Sequence, residues 1–167
     1  MHIRIEHRLF DTLFETEYRG VLALGRRVAG PSVAEDVAQE AFAALLRARI
    51  DDPAHARHWL YRTALHRALD AVRRDRSRRD REIAAAAVDV PPQPSELIER
   101  SEAAASLRRA LAKLKPSYAA ALSLRASGFS YKDIAAMLDV PADRIGVMLM
   151  RAEAALKKEI PDVTTSR

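Results

Sequence analysis

The chain has 167 residues, 49% of them hydrophobic and 31% charged, with a formal net charge of +5 and an isoelectric point near 9.9. That length suits one or two small domains, and the basic balance points to a polyanionic partner. The absence of cysteine excludes disulfides and thiolate chemistry. The apolar stretches are too short to span a bilayer, and the N-terminal Met-His-Ile-Arg-Ile-Glu-His-Arg lacks an apolar core followed by a small-residue cleavage site. A cytoplasmic protein with no membrane partner is expected.

Alanine and leucine are abundant, glycine is scarce, and no stretch alternates apolar and polar residues for long, so an all-α chain is predicted. Helices are expected over 8–29, 32–48 and 54–82, then over 95–114, 117–127, 131–138 and 143–159. This pattern divides into a domain over 1–82, a linker over 83–94, a second domain over 95–160 and a tail over 161–167. No sizeable extension follows Leu156, so no fused regulatory domain is expected.

Charge is uneven along the first half. Residues 1–45 hold five arginines against seven acids, whereas 46–82 hold eleven arginines against six. The second predicted helix has an apolar stripe of Val37, Ala41, Ala44 and Leu45, with Glu35, Asp36, Gln39 and Glu40 on or beside the opposite face. Acids in this pattern are most often simply solvated. No basic residue within the helix pairs them, because Arg47 lies too far along.

The third helix places Arg57, His58, Trp59, Tyr61, Arg62, His66, Arg67, Arg73 and Arg74 on one element and continues into Arg76, Arg78, Arg79 and Arg81. Stacking surface beside a ladder of cations suits unpaired bases and their phosphates. The plainer alternative puts Trp59 and Leu60 in the core and leaves the arginines in solvent. His55, His58, His66 and Asp70 do not make a convincing metal set, since the first two lie more than a turn from the others. With no phosphate loop, cysteine or Gly-x-Ser-x-Gly turn, no enzyme is indicated and no cofactor or metal is expected.

The linker contains Pro91, Pro92 and Pro94, which remove backbone donors and stiffen that end. Ser95 is placed to cap the next helix, with Glu96 and Glu99 in its first turn, where the helix dipole favours negative charge. Near the C-terminus, Ser130 and Asp133 form a capping-box start, Ile134 and Leu138 share a face, and Asp139-Val140-Pro141 ends the short helix. A second helix follows with Ile145, Leu149, Ala152 and Leu156 as one inward stripe. This is the outline of a helix-turn-helix, whose second helix can enter a DNA major groove. An ordinary helical hairpin is the bland alternative.

Taken in order, Ala34-Glu35-Asp36-x-x-Gln39-Glu40, the Trp59-Leu60-Tyr61-Arg62 helix with its arginines, the linker, Leu114-Lys115-Pro116 and the Gly128–Pro141 segment resemble the extracytoplasmic-function (group IV) sigma factors of bacterial RNA polymerase, in the sigma-70 family. The resemblance runs from about Phe10 to Leu156. It implies a region 2-like domain and a region 4-like domain joined by a flexible linker, and a transcription initiation factor with no catalytic residues. It gives Glu35, Asp36, Gln39 and Glu40 a coiled coil of the largest polymerase subunit as partner, and gives the second domain the polymerase flap. It assigns Arg57, His58, Trp59, Arg62, His66, Arg67, Arg73 and Arg74 to the minus-ten strand of promoter DNA. There a flipped base costs a few kcal/mol of stacking that the site must return. It assigns Tyr131, Lys132, Arg144, Val147, Met148 and Arg151 to the minus-thirty-five duplex. An anti-sigma factor is an implied candidate regulator, and a nucleoid location follows.

The recognition helix departs from the family pattern. Its expected outer face, with Val147, Met150, Arg151 and Ala154 and with Arg144 at the edge, is unusually apolar. Such side chains can meet a thymine methyl but neutralise no phosphate. The face predicts weak duplex reading or, alternatively, a seat for a protein partner. The competing reading of the whole chain is a conventional helix-turn-helix regulator with an N-terminal dimerisation or sensor domain, which would need no affinity for single strands.

Overall fold

The computed structural model describes residues 7–85 and 102–159. Within them the chain forms seven helices: α1 (His7–Ala29), α2 (Pro31–Arg47), α3 (Pro53–Ala85), α4 (Glu102–Lys113), α5 (Pro116–Ala126), α6 (Tyr131–Leu138) and α7 (Ala142–Glu159). The prolines of the linker and the expected cap Ser95 lie outside the described residues. None of the described helices is long and apolar enough to cross a membrane.

Local chemistry accounts for the boundaries. Pro31, Pro53 and Pro116 open their helices at positions whose amide has no intrahelical partner. Helix α6 begins on a complete capping box, the Ser130 hydroxyl accepting from the Asp133 amide at 3.1 Å while the Asp133 carboxylate accepts from the Ser130 amide at 3.1 Å. It ends one residue earlier than the proline argument requires, because Asp139 turns left-handed (φ 54°) and its amide returns to the Ala135 carbonyl. Helix α3 carries on through Ile83, Ala84 and Ala85, so the first three residues expected in the linker are helical. An alanine run favours helix, and the first proline comes only at Pro91.

Helices α1, α2 and α3 pack as a three-helix unit around Leu13, Val21, Leu24, Val37, Phe42, Leu45, Leu60, Tyr61 and Leu65, all buried. Helices α4 to α7 form a second unit around Leu124, Ile134, Met137, Ile145, Met148 and Leu149. Helix α1 also lies along α5, and the buried apolar residues of both units join in one continuous cluster. Two such units were expected; a shared core between them was not.

Two glycines make that packing possible. A Cβ on Gly20 of α1 would stand 2.0 Å from the Tyr61 hydroxyl, so the bare backbone is what admits the phenol. Gly128 (φ 89°) ends α5 in a Schellman arrangement, its amide donating to Arg125 and the next amide, of Phe129, donating back to Leu124. The turn delivers Phe129 inward, 1% exposed, where its ring meets Tyr61 edge-on at 4.8 Å between centroids.

Candidate functional site

The acidic face is built by the burial of its opposite side. With Val37, Ala38, Ala41, Phe42 and Leu45 in the core, Glu35, Asp36, Gln39 and Glu40 all stand exposed on α2. Glu40 is approached by Arg67 of α3 at 3.5 Å, but both side chains are about half exposed and such a pair contributes little to stability. Next to this face lies apolar surface that the sequence reading missed. Phe10, Phe14, Tyr18 and Phe42 form an aromatic cluster in which Phe14 remains 44% exposed, and Leu46 is 42% exposed. Gln39, Phe42 and Leu46 fall at helical spacing along one line of α2.

Helix α3 sorts its predicted contacts by position. Trp59, Arg62, His66 and Arg73 recur at offsets of three, seven and fourteen and therefore share a stripe. Trp59 is partly buried against the core, and the other three are exposed. Arg62 and His66 have no ion-pair partner among the described residues, whereas Arg73 is held by Asp70 at 2.9 Å and Arg74 reaches the Asp70 carbonyl at 3.4 Å. The last buried residue of the helix is Ala68. Leu69 and Val72 still pack partly against the core, and beyond them α3 continues as a largely exposed arm of roughly 20 Å at 1.5 Å per residue. On that arm Asp75 draws in Arg78 and Arg79 at 2.8 and 2.9 Å.

At the start of α3 the arrangement differs from expectation. Tyr61, expected to offer stacking surface, is 1% exposed and donates to a Glu17 carboxylate oxygen at 2.9 Å. Burial, with Glu17 alongside, pushes its pKa up to about 12. Arg57 donates through Nε to the other Glu17 oxygen at 2.9 Å and through Nη2 to the Ser127 carbonyl at 2.5 Å, while its guanidinium lies 4.2 Å from the centre of the Phe129 ring. His58 approaches Asp133 at 3.0 Å through Nε2 and meets Phe129 edge-on at 5.1 Å. The hydrogen bond from Ser130, with the His58 contact behind it, holds the Asp133 carboxyl below the usual carboxylate range. Glu17 was legible in principle: it stands on the same stripe of α1 as buried Leu13, Val21 and Leu24, where an acid needs a partner.

In the helix-turn-helix, Tyr131, Lys132, Arg144, Val147 and Arg151 are exposed, as is Met150 at 62%. Tyr131 lies beneath Arg125, 5.7 Å from its ring centre, and faces Gly146 of α7. Met148 is a correction. It is 9% exposed and belongs to the core cluster, so it does not share the outer face with Val147. The reason is that α7 packs against α4, α5 and α6 at once, which widens its buried arc beyond the single stripe expected.

A three-helix unit with an acidic face and an aromatic-basic helix, followed by a helix-turn-helix unit, is the architecture of a bipartite helical DNA-binding protein. Comparison with known proteins gives the class its name. The family model for sigma-70 region 2 matches residues 13–78, and that for sigma-70 region 4 matches residues 104–156. The RNA polymerase sigma factor YlaC of Bacillus subtilis is 30% identical over 164 residues, covering 93% of this chain and 95% of its own. The RNA polymerase sigma-H factor of Pseudomonas aeruginosa is 31% identical over 174 residues, covering 94% and 89%. The sigma factor RpoE of Bartonella quintana, solved in complex with the anti-sigma factor NepR, superposes with a TM-score of 0.70 at 20% identity over 93% of this chain and 98% of its own. The chain belongs to the sigma-70 family, in its extracytoplasmic-function branch. It is a transcription initiation factor that binds core RNA polymerase and directs it to promoter DNA, and the conventional-regulator alternative is not favoured.

Proposed function

We propose that residues 1–82 carry polymerase attachment and strand separation and that residues 95–160 read duplex DNA, with Glu35, Asp36, Gln39 and Glu40 as the polymerase-facing set. The observation that carries this is the exposure of those four side chains on a helix whose other side is fully packed. The acids contribute almost nothing to the fold, so their charge is available to a basic partner helix. The flanking Phe14 and Leu46 supply apolar contact of the kind an interface centre needs.

Trp59, Arg62, His66 and Arg73 are the stripe best placed for the non-template strand of the minus-ten element, with Arg67 and Arg74 beside it. Arg62 and His66 lead, because no ion pair within the described chain competes for them. In the second unit Tyr131, Lys132, Arg144, Val147 and Arg151 face outward and Met148 does not, so duplex reading rests on three cations, one tyrosine and one small apolar contact. The protein then acts in the cytoplasm at the nucleoid, performs no bond chemistry of its own and needs no cofactor. A protein antagonist of the anti-sigma class is its candidate regulator.

The decisive experiment is reconstitution with core polymerase and run-off transcription over genomic fragments, including the region upstream of the chain's own gene. Specific transcripts dependent on the added chain are expected. Core polymerase that initiates identically with and without it would refute the proposal.

A further inference from the structure

We infer that the outer face of α7 reads the minus-thirty-five duplex through thymine methyl groups and one cytosine amine instead of through guanine, with Val147 and Met150 on the methyls and Asp143 on the amine. The inference rests on the reading that this helix lies in the major groove, and it names the bases read there.

The surface of α7 sorts into stripes. Asp143, Val147, Met150 and Ala154 recur at offsets of four, seven and eleven and are all exposed, so they form the centre of the outward face. Buried Ile145, Met148, Leu149 and Ala152 fix the opposite side. Arg144, Arg151 and Lys158 stand at intervals of seven along one flank, all exposed. Cations on a flank meet a wall of phosphates, while the centre meets base edges. On the other flank Gly146 has no side chain, and the ring of Tyr131, 45% exposed, stands beside it, 3.8 Å from where a Cβ would be. Tyr131 thereby continues the apolar centre across the first turns of the helix.

The chemistry of that centre selects bases by what it lacks as well as by what it offers. From Ala142 to Ala154 the chain has no Ser, Thr, Asn, Gln or Lys. Adenine's bidentate partner is an amide side chain and guanine's is Arg or Lys, and neither occupies the central stripe. What the stripe presents is Val147 at 43% and Met150 at 62% exposure, with one acceptor-only group, Asp143. Thymine alone carries a methyl in the major groove, so apolar contact selects it. The Asp143 carboxylate is repelled by the acceptors of guanine and by the N7 that adenine sets beside its amine, which leaves the N4 amine of cytosine as its match. No ion pair among the described residues commits Asp143, and it stands in the first turn, where recognition helices touch base edges. From Asp143 to Met150 the helix rises about 10 Å, about three base steps. A protein is the other conceivable occupant, and the cationic row beside the stripe favours the polyanion over it.

The test uses the full chain with core polymerase at a promoter found by run-off transcription. Its minus-thirty-five segment is randomised, each template carries a transcribed barcode, and the transcripts are sequenced. A cytosine with thymines within about three base steps of it on one strand should be enriched. Deoxyuridine then replaces each enriched thymine, which removes the methyl and leaves the hydrogen-bonding edge unaltered. With holoenzyme below saturation each replacement should lower initiation about three- to fivefold, as expected for one buried apolar carbon, and Val147→Ser and Met150→Ser should each abolish the loss at one position. Asp143→Asn should move the preference at its position from cytosine to adenine, whose edge an amide pairs. Guanine enriched across these positions, or thymines whose methyls can be removed without loss, would overturn the inference while leaving duplex reading in place. Initiation indifferent to the sequence of the whole segment would strike duplex reading itself and the inference with it, and would leave Val147 and Met150 as a seat for a protein.

Discussion

Gly20→Ala separates intrinsic helix preference from packing, because the two push in opposite directions. Within a helix the change should stabilise by about 0.8–1 kcal/mol. The added methyl, however, would sit 2.0 Å from the Tyr61 hydroxyl, well inside any real contact distance, with the next ring atom at 3.2 Å. Tyr61 is 1% exposed, so the phenol has no free direction in which to move. Forcing such a ring aside costs on the order of 1–3 kcal/mol, and breaking its hydrogen bond to Glu17 adds about 1.5–3 kcal/mol for a charged acceptor. The net expectation is destabilisation of roughly 2–4 kcal/mol, which for a chain of this size lowers Tm by about 5–15 °C. Calorimetry or denaturant titration of the purified protein measures it. Adding Tyr61→Phe removes the clashing oxygen, so the double variant should be more stable than Gly20→Ala alone, a coupling that a double-mutant cycle reads directly. If Gly20→Ala is neutral or stabilising, or the double variant shows no recovery, the close seat of Tyr61 against α1 is refuted.

Reversing Glu35, Asp36 and Glu40 to Lys should abolish core polymerase association in a pull-down while leaving helicity and Tm nearly unchanged, since exposed charges contribute little to stability; undiminished core binding would remove the acidic face from the polymerase interface. Arg62→Ala with His66→Ala should preserve core binding but reduce permanganate-detected promoter opening, and normal opening would return those residues to a solvated role. The Tyr61 pKa is raised from 10.0 to about 12, so the stability it confers is complete below pH 10 and is lost as pH rises toward 12. Tyr61→Phe should flatten that alkaline loss, and an unchanged profile would contradict the assignment. Met150→Arg, at an exposed position of α7, should strengthen duplex binding by the full chain and steepen log affinity against log salt by about 0.9 for one added phosphate contact. An unaltered slope would mean that this face does not meet DNA.

What the sequence made legible follows the range of the interactions. Helix starts are set by prolines and by the Ser130–Asp133 capping box, all local, and the helical spans therefore match closely. Long-range partners were invisible. Nothing near Arg57 announces that Phe129 will cover it, and Glu17, forty residues earlier than Arg57, hints at a partner only by falling on a buried stripe. The two residue-level corrections share one cause. Met148 and Tyr61 were placed outward by treating each helix as packing on one side, whereas α7 touches three helices and α3 touches α1, α2, α5 and α6. A helix packed on several sides buries a wider arc than its strongest apolar stripe suggests. The end of α3 shows the converse: past Val72, the last residue packed against the core, helix-forming residues and i to i+3 or i+4 ion pairs carry the arm to Ala85.

The allocation of exposed and covered charge also bears on how the chain meets nucleic acid. The acidic face of α2 is in solvent, while Arg57 and His58 at the start of α3 are occupied by the second unit. Arg62, the distal arginines of α3 and those of the outer face of α7 are among the cations exposed to solvent. On the distal arm the acids are interleaved with arginines and draw in Arg73, Arg78 and Arg79. Each arginine so paired must surrender an acid before it can neutralise a phosphate, which lowers the gain from counterion release and weakens sequence-independent attachment to DNA. A chain with net charge +5 would otherwise bind any duplex it met. Intramolecular pairing of these arginines offsets part of that attraction.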